Sequence, residues 1–397
     1  MVERRYTSTV VAVRRLHVIT TKSLTLGLLY LIGWAAGCAV CVCAAESKNT
    51  GCTAPLWTAV VIGDLGKARN LTSPDLIDSS RAGVTFLDNG RLVVREVVLD
   101  TANLSSRQNP ASSPFRLRAS VFDIGLGKST ASADWGTRPH ESSIWPTTGG
   151  LLIRSGEVLR LYSSDFTQLK ELTLPLSHDI YTVTVSPGGK TILINRHDQH
   201  LSSFEVLDGA TLEARQQWSE PPPLRRLYSS SDTSIAAADF NQEHILFSRF
   251  ASRTWRNING KPTLTCVGLP TLVTDASLVN ACKQFSYMST DGALVFEDTF
   301  SKGEALARHV AVARDGSTVA VTLDRTKGSD FWDTGHGIKL VATYILVYDL
   351  SVRKRALTVE VDPLPSNNYD FALSPDGSRL AILNDQRVTV CSVPKEK

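Results

Sequence analysis

The sequence predicts an all-β fold: a β-propeller of seven four-stranded blades, with six as the alternative count. Three observations predict it. Hairpin turns containing Asp-Gly or Gly-Gly recur along the chain, each leading into an apolar strand. Most steps between equivalent marks are about 40–60 residues, the length of one blade. Val, Ile, Leu, Tyr and Thr gather in short runs, with almost none of the 3.6-residue spacing of a helix. The 397 residues, 42% hydrophobic and 20% charged, suit one repeat domain and argue against disorder over most of the chain.

Residues 1–45 differ from the rest. Arg4, Arg5, Arg14, Arg15 and Lys22 come first, opposed only by Glu3, and Ser23 to Ala45 then runs without a charge. Basic, apolar, then small residues is the order of a signal peptide, with a cut after Ala44 or Ala45. Two other readings stand beside it. The uncharged stretch is long enough to be an uncleaved membrane anchor. Ala35 to Cys38 resembles a lipoprotein cleavage box, without the usual Leu three residues before the Cys. The propeller domain is then 46–397, and membrane contact runs only through the N-terminal segment if it is uncleaved. The leader carries +4 of the chain's +3, so the remainder is about −1. Bulk charge therefore gives no ground for nucleic-acid binding.

The elements follow in order. Leu56 to Ile62 is an isolated apolar strand. Hairpins follow at Leu87–Val94 (LDNGRLVV), Thr147–Ile153 (TTGGLLI), Ser186–Ile194 (SPGGKTILI), Ser289–Phe296 (STDGALVF), Ala313–Val321 (ARDGSTVAV) and Ser374–Leu383 (SPDGSRLAIL). A second mark is an aromatic or apolar pair, often followed by an acid and a turn. It lies near residues 122, 162, 204, 296 and 348, with room for one more unit around 266 and a last one near 391. The final unit supplies three strands, Tyr369–Leu373, Arg379–Leu383 and Val388–Val393. The isolated N-terminal strand completes it as the fourth, so the pairing of the chain ends leaves no open ring edge.

Cysteine usage fits export. Outside the leader four remain, Cys52, Cys266, Cys282 and Cys391. An even number suggests two disulfides among three connectivities, against four free thiols. Cys266–Cys282 closes a local loop, and Cys52–Cys391 then ties the ends together.

SPDGSRLAIL resembles the repeat of the TolB-type and WD-like propellers of exported bacterial proteins. The likeness is good over the last 25 or so residues and over Ser186–Ile194, and fair elsewhere. No Trp-Asp dipeptide stands at the strand ends and no Gly-His opens the repeats, so this is not a true WD-repeat chain. The resemblance implies the fold. Function does not follow from it, because such propellers host many.

Tight Pro-Asp-Gly turns mark one face of the ring. Insertions and blade-to-blade crossings are expected on the other, where binding usually resides. Ala251–Pro262 carries Arg253, Trp255 and Arg256; Arg325–Gly337 carries Asp330, Trp332, Asp333 and His336. The crossing from Ser129 to Glu141 adds Asp134, Trp135 and His140. Exposed Trp and Arg are typical anchors for a protein or small-ligand partner; the other reading has each Trp plugging the gap between blades. His197, Asp198 and His200 form a metal-ligand pattern only if another loop adds a ligand, and a solvated turn is the simpler reading. Gly125 to Ser129 lacks the first Gly of a phosphate loop, Phe122 standing in its place. No nucleophile elbow or zinc-protease helix occurs, and no cofactor is implied. Two function classes remain: an exported non-catalytic binding scaffold, or an enzyme at the central channel mouth (a lactonase-like hydrolase or a cofactor-dependent dehydrogenase). The second needs carboxylates or His converging there.

Overall fold

Unbroken apolar runs in the middle strands have a structural cause: each sheet is covered on both faces by its neighbours. The computed structural model describes residues 52, 55–60, 82–99, 115–137, 142–174, 180–197, 201–220, 225–239, 244–258, 267–327, 339–365 and 369–395. The leader 1–45 lies outside them. Seven four-stranded antiparallel sheets form the blades of a propeller, so the expected count of seven holds. Blades 1 to 6 span residues 82–137, 142–173, 180–220, 225–257, 271–299 and 304–360. Blade 7 joins Tyr369–Leu373, Arg379–Asn384 and Arg387–Ser392 to the N-terminal strand Trp57–Val60, which is outermost. Trp57 pairs with Val390 and Val60 with Arg387, as the expected ring closure requires. Cys52 and Cys391 are disulfide-bonded with Cα atoms 5.5 Å apart. Cys282 is also in a disulfide; Cys266 lies outside the described residues.

The core is a set of layers between consecutive blades. One cluster joins blades 7 and 1 through Phe86, Leu92, Leu383 and Val390. Others join blades 1 and 2, 2 and 3, 3 and 4, 4 and 5, 5 and 6, and 6 and 7. The second strand Arg379–Asn384 is buried at four successive positions. The outer strand Ala214–Glu220 has no buried residue, only exposed and half-buried positions in near alternation.

The hairpin turns latch neighbouring blades. Gly189 has φ +71° and lies against the Thr147 backbone of the preceding blade, and Thr148 N–H donates to its carbonyl at 2.9 Å. Gly377 (φ +66°) lies against the Thr318 side chain of the preceding blade. A side chain fits neither the space nor the left-handed backbone.

Three expectations about placement are corrected. STDGALVF joins the third and fourth strands of blade 5, Gln284–Ser289 and Leu294–Thr299, and not the first and second. The unit expected around 266 has its third strand at Ile245–Arg249. Trp135 is on the outer strand of blade 1, Lys128–Thr137, and not in a crossing.

Candidate functional site

The innermost strands of all seven blades ring a central channel of about 470 Å³. First-to-second strand turns put Pro187, Pro375 and Arg314 at one mouth, the hairpin-turn face, beside Pro146 near the end of the first strand of blade 2. At the opposite mouth, the crossing face, Arg95, His309 and Asp370 converge. They come from blades 1, 6 and 7.

Asp370 is the hub. Its Oδ2 accepts the Val84 N–H of blade 1 at 2.9 Å, and its Oδ1 accepts the Phe371 N–H at 2.9 Å. His309 Nε2 lies 3.3 Å from Oδ1, with the imidazole against the Phe371 ring at a centroid distance of 4.2 Å. The Asp370 side chain is 12% exposed and the His309 side chain 44%. Arg95 packs beside Asp370 over Gly83, where an added Cβ would lie 2.7 Å from Arg95 Nε and 2.8 Å from Asp370 Oδ2. Burial holds Arg95 below the ordinary guanidinium range, and the Asp370 charge opposes that fall.

The strand that carries His309 is irregular next to it. Glu304–Val312 pairs regularly with the next strand at both ends, but the register shifts between Leu306 and Val310. A bulge of this kind re-aims a side chain, and bulges are common beside functional sites. Next to the hub, the Tyr369 hydroxyl lies 3.3 Å from the Thr322 hydroxyl. Burial raises the Tyr369 phenol, and the nearby Asp324 and Asp370 charges add to the shift. Burial also raises Asp324, although the Thr343 hydroxyl donates to its Oδ1 at 2.7 Å.

Raised ribbons flank blade 7 here. In blade 6 the second and third strands stay paired to Lys327 and Lys339, well past Thr322, which marks the level of Tyr369. In blade 1 they stay paired to Leu99 and Phe115, past the first residue of the inner strand, Ala82. Blade 7 turns back at once after Asn384 paired with Arg387.

The residues singled out from sequence are not gathered there. Arg253, Trp255 and Arg256 follow the third strand of blade 4, and Phe250 N–H donates to Thr233 O of the first hairpin turn. That loop therefore belongs to the hairpin-turn face, not to the crossing face. Arg253 is exposed, with its guanidinium 5.9 Å from the Trp218 ring centre. Arg256 donates to Thr290 O at 2.8 Å. Trp255 is half-buried against the layer between blades 3 and 4, and its Nε1–H donates to Glu220 at 2.8 Å. Trp135 packs on Tyr162 and Phe166 of blade 2 and donates to the Tyr162 hydroxyl at 2.7 Å. Both tryptophans plug gaps between blades. Asp330, Trp332, Asp333, His336, His140, Asp198, His200 and the His197 side chain lie outside the described residues. Among the described residues no group of three or more His, Cys, Asp or Glu is arranged for a metal ion.

No protein-family model and no curated protein sequence matches the chain. Solved structures do. The WD40 domain of Pan2 from Neurospora crassa superposes with a TM-score of 0.52 at 12% identity, over 87% of this chain and 96% of that one. The C-terminal WD40 domain of Sif2 gives 0.45 at 12% identity, over 79% and 95%. A chain of a mitotic checkpoint complex gives 0.48 at 11%, over 95% and 100%. At such identities the likeness to Pan2 speaks for the fold alone: this chain is a seven-bladed propeller similar to WD40 domains.

Proposed function

We propose that the protein is a non-catalytic binding propeller, exported from the cytoplasm, whose protein partner docks on the crossing face over blade 7. The observation that carries this reading is the His309–Asp370–Arg95 cluster at a channel mouth, flanked by the raised ribbons of blades 1 and 6. A rigid scaffold with a recessed charged floor and taller walls is the form of a recognition surface. The disulfide at Cys52–Cys391 and the one at Cys282 support an oxidising compartment, in keeping with the likeness to exported TolB-type propellers. Photo-crosslinking in the protein's own host tests the reading. A crosslinking residue at His309 or the exposed Val341 is expected to capture a protein. The same probe at Arg253 or Val352, on the hairpin-turn face, is expected to capture none. Capture from the hairpin-turn face alone overturns it.

A second reading is favoured by the same dyad. His309 Nε2 lies 3.3 Å from the Asp370 carboxylate at the channel mouth, and a His beside a carboxylate is a pairing used in general acid–base catalysis. A hydrolase acting there loses about 10²–10⁴-fold in rate on His309→Asn. An unchanged rate of lactone hydrolysis in that variant removes the enzyme reading.

A further inference from the structure

The opposite mouth of the channel has a different chemistry. Arg314 lines it, half-buried, at the start of the blade 6 hairpin turn. Among the described residues its guanidinium makes one hydrogen bond, a long one of 3.5 Å to Leu87 O of blade 1. The counter-charge that acts on it is Asp88, and Asp88 is already engaged. Its Oδ1 accepts Gly90 N–H and Arg91 N–H at 2.9 Å, and its Oδ2 accepts Arg91 Nε–H at 2.7 Å. Burial lowers the Arg314 pKa from its ordinary value, the mark of a cation whose lost water is poorly replaced. Other arginines at this face are better served: Arg379 donates to Asn89 O at 2.7 Å. Most of an Arg314 fork of five donors is thus unspent at the entrance of a cavity.

The cavity behind it mixes apolar side chains with hydroxyls and ends at the Arg95–His309–Asp370 cluster. Phe86, Val185, Val312 and Leu373 face it. Its hydroxyls are largely committed to the protein. Thr184 and Ser230 bond each other at 3.2 Å, and Ser229 donates to Pro270 O at 2.6 Å while accepting Leu272 N–H at 3.0 Å. At about 470 Å³ it is in the size range of small-molecule sites. A planar guanidinium at the end of a partly apolar cavity matches a carboxylate on an apolar body.

We propose that the channel binds a small monocarboxylate with an apolar body, its carboxylate held by Arg314 at the hairpin-turn mouth. The same channel reaches Arg95, His309 and Asp370, so the carboxylate site and the partner surface lie at opposite mouths of one cavity. Calorimetric titration of the full chain with phenylacetate tests it, with phenylacetamide as the uncharged isostere and inorganic phosphate as the anion without a body. Saturable one-to-one binding of phenylacetate is expected, with phenylacetamide and Arg314→Gln each weaker by about tenfold or more. Thermal unfolding of Arg314→Gln is expected to match the wild type. Should that variant not fold, Arg314→Lys, which keeps the charge and loses the fork, is expected to bind phenylacetate several-fold more weakly. No saturable binding, equal affinity for the amide, or unchanged affinity in the folded variant overturns the proposal. Phosphate binding as tightly as phenylacetate overturns the apolar body.

Discussion

Counting back seven residues from the turn glycines Gly90, Gly316 and Gly377 reaches Gly83, His309 and Asp370. Equal distance from equivalent turns puts the three at one level of the innermost strands, in blades 1, 6 and 7. That register was available in the sequence and would have found the cluster. Arg95 was not available that way, since it reaches the hub through strand pairing with Gly83. At this scale the pH behaviour of Asp324 is testable. Burial raises its carboxyl, so the folded state keeps that proton to higher pH than the unfolded chain does. Stability therefore falls as pH rises from the ordinary carboxylate value through the raised one. Asp324→Asn keeps an acceptor for Thr343 and removes the cost. Its melting temperature is expected to exceed the wild type's at about pH 7 and to match it at about pH 3. A lower midpoint at neutral pH would show that the ionised carboxylate is needed.

At the scale of elements, the Pro-Asp-Gly turn is a latch. In Ser374–Arg379 the Asp376 carboxylate accepts the Ser374 hydroxyl at 2.7 Å and the Ser378 N–H at 3.0 Å. Burial pushes its pKa up, yet these bonds hold it below the ordinary carboxylate range. Where the turn lacks glycine, as at Ser231–Ser234 of blade 4, an aspartate of the next blade substitutes: Thr233 N–H donates to Asp275 at 3.0 Å. Blades 4 and 5 thus carry the weakest turn marks, and the glycine turn at Ser289–Phe296 lies two strands beyond the first hairpin of its blade. The N-terminal strand is held to blade 7 by its ladder and by Cys52–Cys391. Closing so long a loop restrains the unfolded chain strongly, so Cys52→Ser is expected to cost about 2–5 kcal/mol in urea unfolding. A loss under about 0.5 kcal/mol would mean that the strand ladder alone closes the ring.

For the whole molecule, stability comes from layers that run around a ring and meet themselves. Blade 7 shares one layer with blade 6 and another with blade 1. A chain starting at residue 61 leaves blade 7 with three strands and bares the edge of Arg387–Ser392. Such an edge templates association. The truncated chain is expected to elute as oligomers and to unfold over a broader range than the full chain. A monomer with the same melting curve would show that closure does not depend on the outer strand. The ring also explains why the two channel mouths differ. One is built from short turns that latch neighbours, the other from strand starts, crossings and extended ribbons.

From the sequence alone came the all-β class, seven blades as the count set before six, and the closing N-terminal strand. These rest on turn chemistry and on runs of apolar residues, which the chain displays locally, whereas the Cys52–Cys391 pair was one connectivity of three until the fold brought the two together. The face of the Arg253 loop, the two tryptophan plugs and the His309–Asp370–Arg95 cluster were decided by tertiary structure. Faces depend on whether a connection is odd in its blade, the first or the third, or is the second, and imperfect repeats hide that parity. The cluster joins residues hundreds of positions apart, and only the closed ring brings blades 1, 6 and 7 to one channel mouth.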